Sequence, residues 1–387
     1  MKLIYISNTR MPTEKAHGLQ IIKMCEAFSS QGVEVELVLP HRINPNKGDI
    51  FQFYNIKKTF KIKKLFCLDT LSLKYSGKVG YIIQYVSFAL SVFFYFLFNR
   101  KKFNGSILYL RDEISARLLS FFHKNVYLEL HGFDDRHKGN KDFFINRIGG
   151  LVLITQKVKE EFLELGIPKE KILVAADGVD LKIFDIEMSK VEARKILNLP
   201  PNKAIIGYTG RFKTMGMDKG INDILKAITL SKNKEIVFVA VGGSVEDIEY
   251  YQKIVDELNI ASQVMILGYK KQTELAIYQK ACDILLMPFP FNEHYAYYMS
   301  PLKMFEYMAA KRPIISSDLP SVRDVFNEVN CLFCRSGDAD DLRQKIELLI
   351  ENKELSNSIS QKAYSEIGNY TWGKRANNII KFILNNK

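Results

Sequence analysis

Hydrophobic residues occur in short, continuously apolar runs that alternate with segments of helical spacing. A first series of runs occupies 2–7, 33–40, 106–112, 125–132, 151–155 and 171–178, and a second occupies 204–210, 235–243, 264–269, 284–290, 313–318 and 331–334. Continuous runs are typical of strands buried on both faces of a parallel sheet, whereas half-exposed strands alternate. The alternation of strand and helix therefore predicts two doubly wound parallel-sheet α/β domains.

A polar segment from Asp185 to Pro201 separates the two series. We therefore predict an N-terminal domain over 1–187, a second domain over 188–370, and a C-terminal helix over 371–387 that packs back on the first domain. Ligands of open parallel sheets bind at the carboxyl ends of the strands. The turns that follow the strands are thus where functional residues are expected.

The stretch 79–98 contains no charged residue and is long enough to span a bilayer. It falls between predicted strands of the first domain, where a span would split one sheet across a membrane. Lys78 and the basic run 100–102 flank it, an arrangement typical of an interfacial helix on an anionic membrane surface. Two interpretations stay open, a helix of the core and a helix docked on such a surface.

The composition is that of a globular protein, with 47% hydrophobic and 25% charged residues. The opening sequence MKLIYISNTR lacks the apolar run of a secretory signal, so a cytoplasmic location is expected. A formal net charge of +12 favours anionic partners. Nucleic acid is not expected as a partner, because the basic segment from Lys57 to Lys64 offers only Phe60 as a stacking platform.

The five cysteines are scattered in apolar contexts, which predicts buried thiols and no disulfide. Cys331 and Cys334 have metal-like spacing, but no second Cys or His pair accompanies them, so no metal site is predicted. A nicotinamide enzyme is disfavoured because no strand leads into a G-x-G-x-x-G turn.

The segment from Ser300 to Ala310 has the features of an anion site at a helix start. Ser300 followed by Pro301 predicts a helix with Ser300 as N-cap and Pro301 at its first position. Such a helix end binds an anion such as a diphosphate. Glu306 lies on the same apolar helix, where a ribose diol would satisfy it, although an ordinary surface glutamate is the alternative.

The stretch 300–325, SPLKMFEYMAAKRPIISSDLPSVRDV, resembles the donor-binding segment of family-four retaining glycosyltransferases. Further pieces similar to that family follow in the expected order: HGLQIIKMCEAFSSQG, LELHG, LITQKVKEEFLELGI with AADGVDLKIF, and YTGRFKTMGMDKGINDILKAI. The resemblance implies the GT-B architecture, in which two facing Rossmann-like domains enclose an interdomain cleft.

The resemblance also implies roles for residues after the strands. Gly18, in the turn after the first strand, would lie against the donor phosphates and transferred sugar, and His131 would point towards that sugar. Arg211 and Lys219 would neutralise the diphosphate leaving group. For each residue there is a structural alternative: a tight turn for Gly18, a structural histidine for His131, and solvated loop charges for the two cations.

The helix start formed by Ser300, Pro301 and Leu302 would receive the distal phosphate, and Glu306 would hold the nucleotide ribose. One departure from the family concerns its first glutamate, because the residue eight positions before Glu306 is Tyr298. Glu293 is a nearby substitute only if its loop folds back.

The implied activity is that of a metal-independent retaining hexosyltransferase without a cofactor. Its donor would be a nucleotide-diphosphate sugar and its acceptor a saccharide or lipid-linked glycan, in surface polysaccharide or glycolipid assembly in the cytoplasm or at the inner membrane face. Two rivals remain. A sugar-nucleotide epimerase would need no acceptor, and a degenerate relative would bind the nucleotide sugar without turnover.

Overall fold

The computed structural model describes residues 1–72 and 77–386. The chain forms two compact units, Met1–Ala176 with Trp372–Lys387, and Asp177–Thr371. The division thus falls before the predicted 187–188 boundary. The reason is local bonding, because Val179 pairs with Thr371 and the Asp177 N–H donates to the Ser300 hydroxyl at 2.9 Å.

The first unit contains a seven-stranded parallel sheet in the order β3-β2-β1-β4-β5-β6-β7. Its strands are β1 (Lys2–Ile6), β2 (Glu34–Pro40), β3 (Lys61–Leu65), β4 (Ile107–Leu110), β5 (Val126–Leu130), β6 (Gly150–Leu153) and β7 (Ile172–Val174). Every apolar run of the first predicted series overlaps one of these strands. β3 was not predicted, because its sequence KIKKL lies at the sheet edge, where lysines replace the apolar residues of a central strand.

The helices of the first unit lie between these strands, apart from the C-terminal one. They are α1 (Ala16–Ser30), α2 (Ile50–Phe53), α3 (Gly77–Phe98), α4 (Arg100–Phe103), α5 (Glu113–Leu119), α6 (Asp135–Lys138), α7 (Gln156–Glu164) and α18 (Trp372–Asn385), with short turns at Thr70–Ser72, Phe143–Arg147 and Lys169–Lys171. The terminal helix α18 packs beside α1, where the Gln31 side chain donates to the Gly373 carbonyl at 2.7 Å.

The second unit contains a six-stranded parallel sheet in the order β12-β11-β8-β13-β14-β15. Its strands are β8 (Ala204–Thr209), β11 (Ile236–Gly243), β12 (Val264–Gly268), β13 (Ile284–Met287), β14 (Ile314–Ser317) and β15 (Leu332–Cys334). A separate hairpin joins β9 (Lys213–Thr214) to β10 (Met217–Asp218). The second series of apolar runs coincides with the six sheet strands, so the prediction of two parallel-sheet α/β domains is confirmed.

Helices cover the second sheet. They are α8 (Leu181–Phe184), α9 (Lys190–Ile196), α10 (Ile221–Leu230), α11 (Val245–Glu257), α12 (Gln272–Ala281), α13 (Glu293–Tyr297), α14 (Leu302–Ala309), α15 (Pro320–Arg323), α16 (Ala339–Glu351) and α17 (Lys353–Glu366), with short turns at Ala261–Gln263 and Ile367–Tyr370. The central strand β8 is fully buried at Ile206 and Tyr208, which pack with Phe238 and Ile224 in one core. This burial makes the end of β8 a rigid platform for the residues that follow it.

Candidate active site

The carboxyl end of β8 brings together two residues that the sequence singled out. Gly210 follows the strand with a φ of +104°, and Arg211 comes next. The β9–β10 hairpin then turns the chain back, so that the Lys219 N–H donates to the Phe212 carbonyl at 3.0 Å. Arg211 and Lys219 therefore flank the base of one hairpin, close enough for the charge of Arg211 to lower the pKa of Lys219.

Gly220 holds this hairpin against the neighbouring strand end. Its φ is +94°, and a Cβ there would lie 1.9 Å from the carbonyl oxygen of Pro288, directly after β13. Only glycine permits both the backbone conformation and the close approach. Gly220 therefore places the residue after the hairpin against the chain that leaves β13, the strand paired with β8.

Lys303 joins this group from the first turn of α14, and sequence reasoning did not assign it a role. Its side chain is buried, with the ammonium 3.2 Å from the centroid of the Tyr208 ring and 5.8 Å from that of Phe289. A Cβ on Gly210 would lie 3.7 Å from the Lys303 nitrogen, so the ammonium also borders this glycine. Within the described chain the nitrogen has no hydrogen-bond partner.

Burial dominates the electrostatics of the two lysines. It lowers the pKa of Lys219 to about 8, with a further contribution from Arg211. It also holds the pKa of Lys303 well below its usual range, aided by Lys219 and opposed by Glu306. None of the three cations forms an ion pair with another described residue. Three neighbouring positive charges that form no ion pair with a described residue are suited to a multiply charged anion.

Glu306 lies one turn along α14 from Lys303 and is 8% exposed, which excludes the surface-glutamate alternative. The Gln279 amide donates to the Glu306 carboxylate at 3.4 Å and to the Thr209 hydroxyl at 2.9 Å. Burial raises the pKa of Glu306 to about 7, although Lys303 and Gln279 favour the ionised form. A carboxylate in this position can accept hydrogen bonds from a ligand hydroxyl.

The start of α14 corrects the helix-cap prediction. The helix begins at Leu302, and Pro301 occupies the N-cap position with φ −73° and ψ 127° and no side-chain bond. The Ser300 hydroxyl instead accepts the Asp177 N–H. Ser300 is thus not the N-cap, because its hydroxyl is used to tie the first residue of the second unit to this loop.

The segment before α14 contains no carboxylate in the family's first glutamate position. Tyr298 is half-buried there, and Glu293 is exposed at the beginning of α13. His294, next to Glu293, was not singled out from the sequence. Burial lowers its pKa and Lys219 lowers it further, which places His294 near the cation group.

A second polar cluster lies in the first unit, around His131. This residue follows β5 directly, as the sequence indicated, and its Nε2 lies 2.7 Å from a carboxylate oxygen of Glu129. The Arg111 guanidinium, after the adjacent strand β4, lies 3.0 Å from the same ring nitrogen. His131 is therefore oriented by residues from two neighbouring strand ends.

Glu129 is the centre of this cluster, with a fully buried side chain. It accepts hydrogen bonds from the Gln20 amide at 2.8 Å and from the Tyr109 hydroxyl, and Arg375 of α18 lies 3.2 Å away. Burial opposes ionisation of Glu129, but Arg375, His131 and Arg111 outweigh it and hold the pKa well below its usual range. Glu129 was not predicted from the sequence, although a glutamate within the apolar strand sequence VYLEL is a signal that could have identified it.

Gly18 does not lie in the turn after β1. It is in the first turn of α1, where a Cβ would lie 2.4 Å from the Thr13 methyl carbon and 2.5 Å from the Tyr54 hydroxyl. That hydroxyl also accepts the Thr13 N–H at 2.9 Å and donates to the Thr13 carbonyl at 2.7 Å. The prediction of a turn glycine was therefore wrong. A glycine is needed at this position because a side chain would clash with Thr13 and Tyr54.

Solved structures of low sequence identity share this architecture over nearly the whole chain. Anabaena HepE in complex with UDP matches with a TM-score of 0.74, at 14% identity and 100% coverage of both chains. The sucrose-phosphate synthase of Thermosynechococcus elongatus matches with a TM-score of 0.79, at 18% identity, covering 99% of this chain and 98% of the other. The fold class is thus GT-B, as predicted.

Sequence comparison shows similarity to glycosyltransferases. Residues 189–366 match the family model described as glycosyl transferases group 1. A D-inositol 3-phosphate glycosyltransferase of Stackebrandtia nassauensis is 23% identical over 54% of this chain and 48% of its own length. The N,N'-diacetylbacillosaminyl-diphospho-undecaprenol alpha-1,3-N-acetylgalactosaminyltransferase of Campylobacter jejuni is 27% identical over 57% of this chain and 56% of its own length.

The chain spans about half the length of these curated relatives, at 48% and 56%. The family match lies in the second unit, which carries Arg211, Lys219, Lys303 and Glu306. Over this unit the chain is therefore similar to the glycosyl transferases group 1.

Proposed function

We propose that this protein is a retaining hexosyltransferase that moves a sugar from a nucleoside-diphosphate sugar to a saccharide or lipid-linked acceptor. The main supporting observation is the group formed by Arg211, Lys219 and Lys303, in which a buried lysine, a partly exposed lysine and an exposed arginine form no ion pair with a described residue. A diphosphate would supply the missing negative charge.

The proposed chemistry follows from where charge develops. When the bond between the sugar anomeric carbon and the diphosphate oxygen breaks, its electron pair stays on that oxygen. Cations already fixed in a poorly solvated site stabilise this charge without reorganising. Since three side chains supply positive charge here, we propose that departure of the diphosphate does not require a metal ion.

Glu306 is proposed to bind the nucleotide ribose. Its carboxylate is buried beside Gln279, so an incoming ribose hydroxyl would donate to an oxygen that water satisfies poorly. Retention of configuration is proposed from the resemblance to the family. The acceptor hydroxyl would attack on the face from which the diphosphate departs, and its proton would pass to the departing diphosphate oxygen as the new bond forms.

The relatives support a first choice of substrates. Anabaena HepE has been solved with UDP and with UDP-glucose, and the Campylobacter jejuni relative is named for a diphospho-undecaprenol acceptor. We therefore propose a uridine diphosphate sugar as the first donor to test, a role in surface glycan or glycolipid assembly, and a cytoplasmic location.

The test is thermal stabilisation by uridine, guanosine and adenosine diphosphates and their sugar conjugates. A ligand that binds only the folded state raises the melting temperature. One nucleotide should stabilise the wild type, and Arg211→Ala and Glu306→Ala should lose that shift, whereas Lys232→Ala, at an exposed lysine, should keep it. No shift with any nucleotide would contradict the proposed donor site.

Turnover separates the remaining alternatives. Slow hydrolysis of the stabilising donor, followed by NMR of the released sugar, would identify a transferase that uses water in place of its acceptor. An epimerase would instead interconvert the intact donor without an acceptor. Binding without either reaction would leave a non-catalytic nucleotide-sugar-binding protein.

A further inference from the structure

Helix α3 has hydrophobic residues both on the side that packs in the first unit and on the side that faces solvent. One side packs inwards, with Gln84, Phe88, Ala89, Val92 and Phe96 buried. The Gln84 amide donates to the Asn8 side chain at 2.8 Å, which ties this side to the loop after β1. The inward side is therefore an ordinary core contact.

The outward side is a stripe of hydrophobic residues in contact with solvent. This stripe, which we call the α3 apolar face, consists of Val79, Ile82, Ile83, Val86, Leu90, Phe94 and Phe98. Val79 and Phe98, at its two ends, are 68% and 80% exposed. Single exposed hydrophobic residues are common, but a continuous row along a 22-residue helix marks an interaction surface.

Aromatic residues next to α3 extend this surface. Phe121 and Phe122, directly after α5, are 64% and 53% exposed. The Phe122 ring lies 5.2 Å from the ring of Phe93 on α3, so the two exposed regions are contiguous. The Arg147 guanidinium lies 4.0 Å from the centroid of the Phe121 ring, and its Nε lies 3.4 Å from a carboxylate oxygen of Asp142, so this part of the border carries an ion pair.

Exposed basic residues lie at both ends of α3. Lys78 is exposed at the start of α3, and Arg100 and Lys101 are exposed beyond its end. Lys124 is exposed beside the Phe121–Phe122 pair. The sequence of α3 contains no Asp or Glu. An apolar stripe between basic ends complements a bilayer interface that carries anionic headgroups.

Two other occupants fit less well. Helix α3 has the length and composition of a membrane span, but its inward side packs in the first unit and it is joined to strands of one parallel sheet, β3 and β4. A second copy of the chain would bring basic helix ends together in either helix direction, because Lys78 lies at one end and Arg100 at the other.

We propose that the α3 apolar face docks on an anionic membrane surface, with the helix lying in the plane of the interface. The apolar side chains would enter the boundary between headgroups and acyl chains, and the basic residues would contact lipid phosphates. This inference does not depend on the donor site. If the proposed function also holds, docking brings the enzyme to the surface where a lipid-linked acceptor resides.

The experiment is flotation of the full chain with vesicles of phosphatidylcholine alone or mixed with phosphatidylglycerol. We expect binding to the mixed vesicles that weakens with salt. The triple variant Val86→Ser, Leu90→Ser, Phe94→Ser should lose at least about tenfold in partitioning. The matched control Val191→Ser, Ile196→Ser, Leu230→Ser, at exposed apolar residues of the second unit, should bind like the wild type.

The charge contribution has its own pair of variants. Arg100→Gln with Lys101→Gln should weaken binding to anionic vesicles by roughly fivefold per charge removed. Lys232→Gln with Lys253→Gln removes the same charge from exposed sites of the second unit and should have no more than a small effect. An equal loss in both pairs would mean that net charge alone drives binding and would overturn docking by α3.

Loss of vesicle binding in the triple variant could also result from misfolding, so a further variant keeps the surface apolar. Phe94→Trp should show a blue shift of tryptophan emission with anionic vesicles, against the background of the chain's single, buried Trp372. Failure of the wild type to float, or conversion of a dimeric wild type to a monomer by the triple variant, would overturn the proposal. Nucleotide stabilisation of the triple variant tests the donor site separately.

Discussion

The ammonium nitrogen of Lys303 lies 3.2 Å from the centroid of the Tyr208 ring, and within the described chain it has no hydrogen-bond partner. An aromatic face compensates a buried cation only in part. The incompletely solvated charge of Lys303, beside Arg211 and Lys219, therefore lowers the stability of the ligand-free second unit. A bound anion would stabilise this charge. A change at Lys303 should therefore affect both the stability of the free protein and its affinity for an anionic ligand.

Replacement of Lys303 by methionine should maintain or raise the stability of the free protein and should lower its affinity for a nucleoside diphosphate. Lys303→Met keeps most of the side-chain volume but removes the charge, so the ligand-free protein should be at least as stable as the wild type in urea unfolding. Affinity for the stabilising nucleoside diphosphate should fall by about tenfold or more, because a charge-assisted contact worth roughly 1.5–3 kcal/mol is lost.

Nucleosides without phosphate provide the control for this variant. Calorimetry should show that Lys303→Met binds the bare nucleoside as the wild type does, so that the loss is confined to phosphorylated ligands. Equal weakening for nucleoside and diphosphate would show that Lys303 supports the fold of the site and does not contact phosphate.

Diphosphate binding should weaken as the pH rises above about 8, the pKa to which burial lowers Lys219 in the free protein. A bound anion raises this pKa, so binding takes up a proton and is strongest below the free-state pKa. Lys303 contributes in the same direction, while Arg211 stays charged throughout.

The pH effect can be assigned with a conservative variant. Calorimetric titrations of Lys219→Arg between pH 7 and 10 should show a shallower pH dependence than those of the wild type, because the guanidinium does not titrate in this range. An unchanged slope in Lys219→Arg would assign the proton uptake to another group, with Lys303 the nearest candidate.

Glu306 should make the ligand-free protein less stable as the pH rises. Its pKa moves from 4.5 to about 7 on burial, so between these values the folded chain retains a proton that the unfolded chain has released. Folded stability from this group is therefore present at low pH and lost as pH rises through about 7.

Glu306→Gln removes this dependence. Urea unfolding at pH 8 should show the variant to be more stable than the wild type by roughly 1–3 kcal/mol, with the difference shrinking at pH 5. Glu351→Gln, at an exposed residue of α16, should follow the wild type at both pH values. A constant difference across this range would contradict a raised pKa at Glu306.

The ion pair between Arg375 and Glu129 should couple the terminal helix to the His131 cluster. Arg375→Met leaves the buried Glu129 carboxylate with fewer partners and should lower the free energy of unfolding by roughly 3–5 kcal/mol. In a Glu129→Gln background the same change should cost much less. Lys381→Met, at an exposed lysine of α18, is the matched control, and additive effects of Arg375→Met and Glu129→Gln would contradict the coupling.

Much of the architecture could be predicted because burial on both faces of a parallel sheet requires continuous apolar residues, and such runs are visible in the sequence. The exceptions have local reasons. β3 carries lysines at a sheet edge, and the β9–β10 hairpin has two residues in each strand, too few for periodicity to show.

The site was predictable only in part. The motif around Glu306 and the pair Arg211 and Lys219 were found from the resemblance and local pattern. Lys303 and Glu129 were not, because lysine and glutamate are usually solvated and burial of their charges depends on neighbours far along the chain.

The sequence by itself determined the two doubly wound domains, the resemblance to a glycosyltransferase family and the positions of the basic loop residues, since these follow from local patterns. Only the tertiary structure decided that Lys303 lies against Tyr208, that Arg375 reaches Glu129, and that one side of α3 remains exposed. Each of these facts depends on which distant segments pack together, and packing is what sets the solvation of a charge or an apolar face.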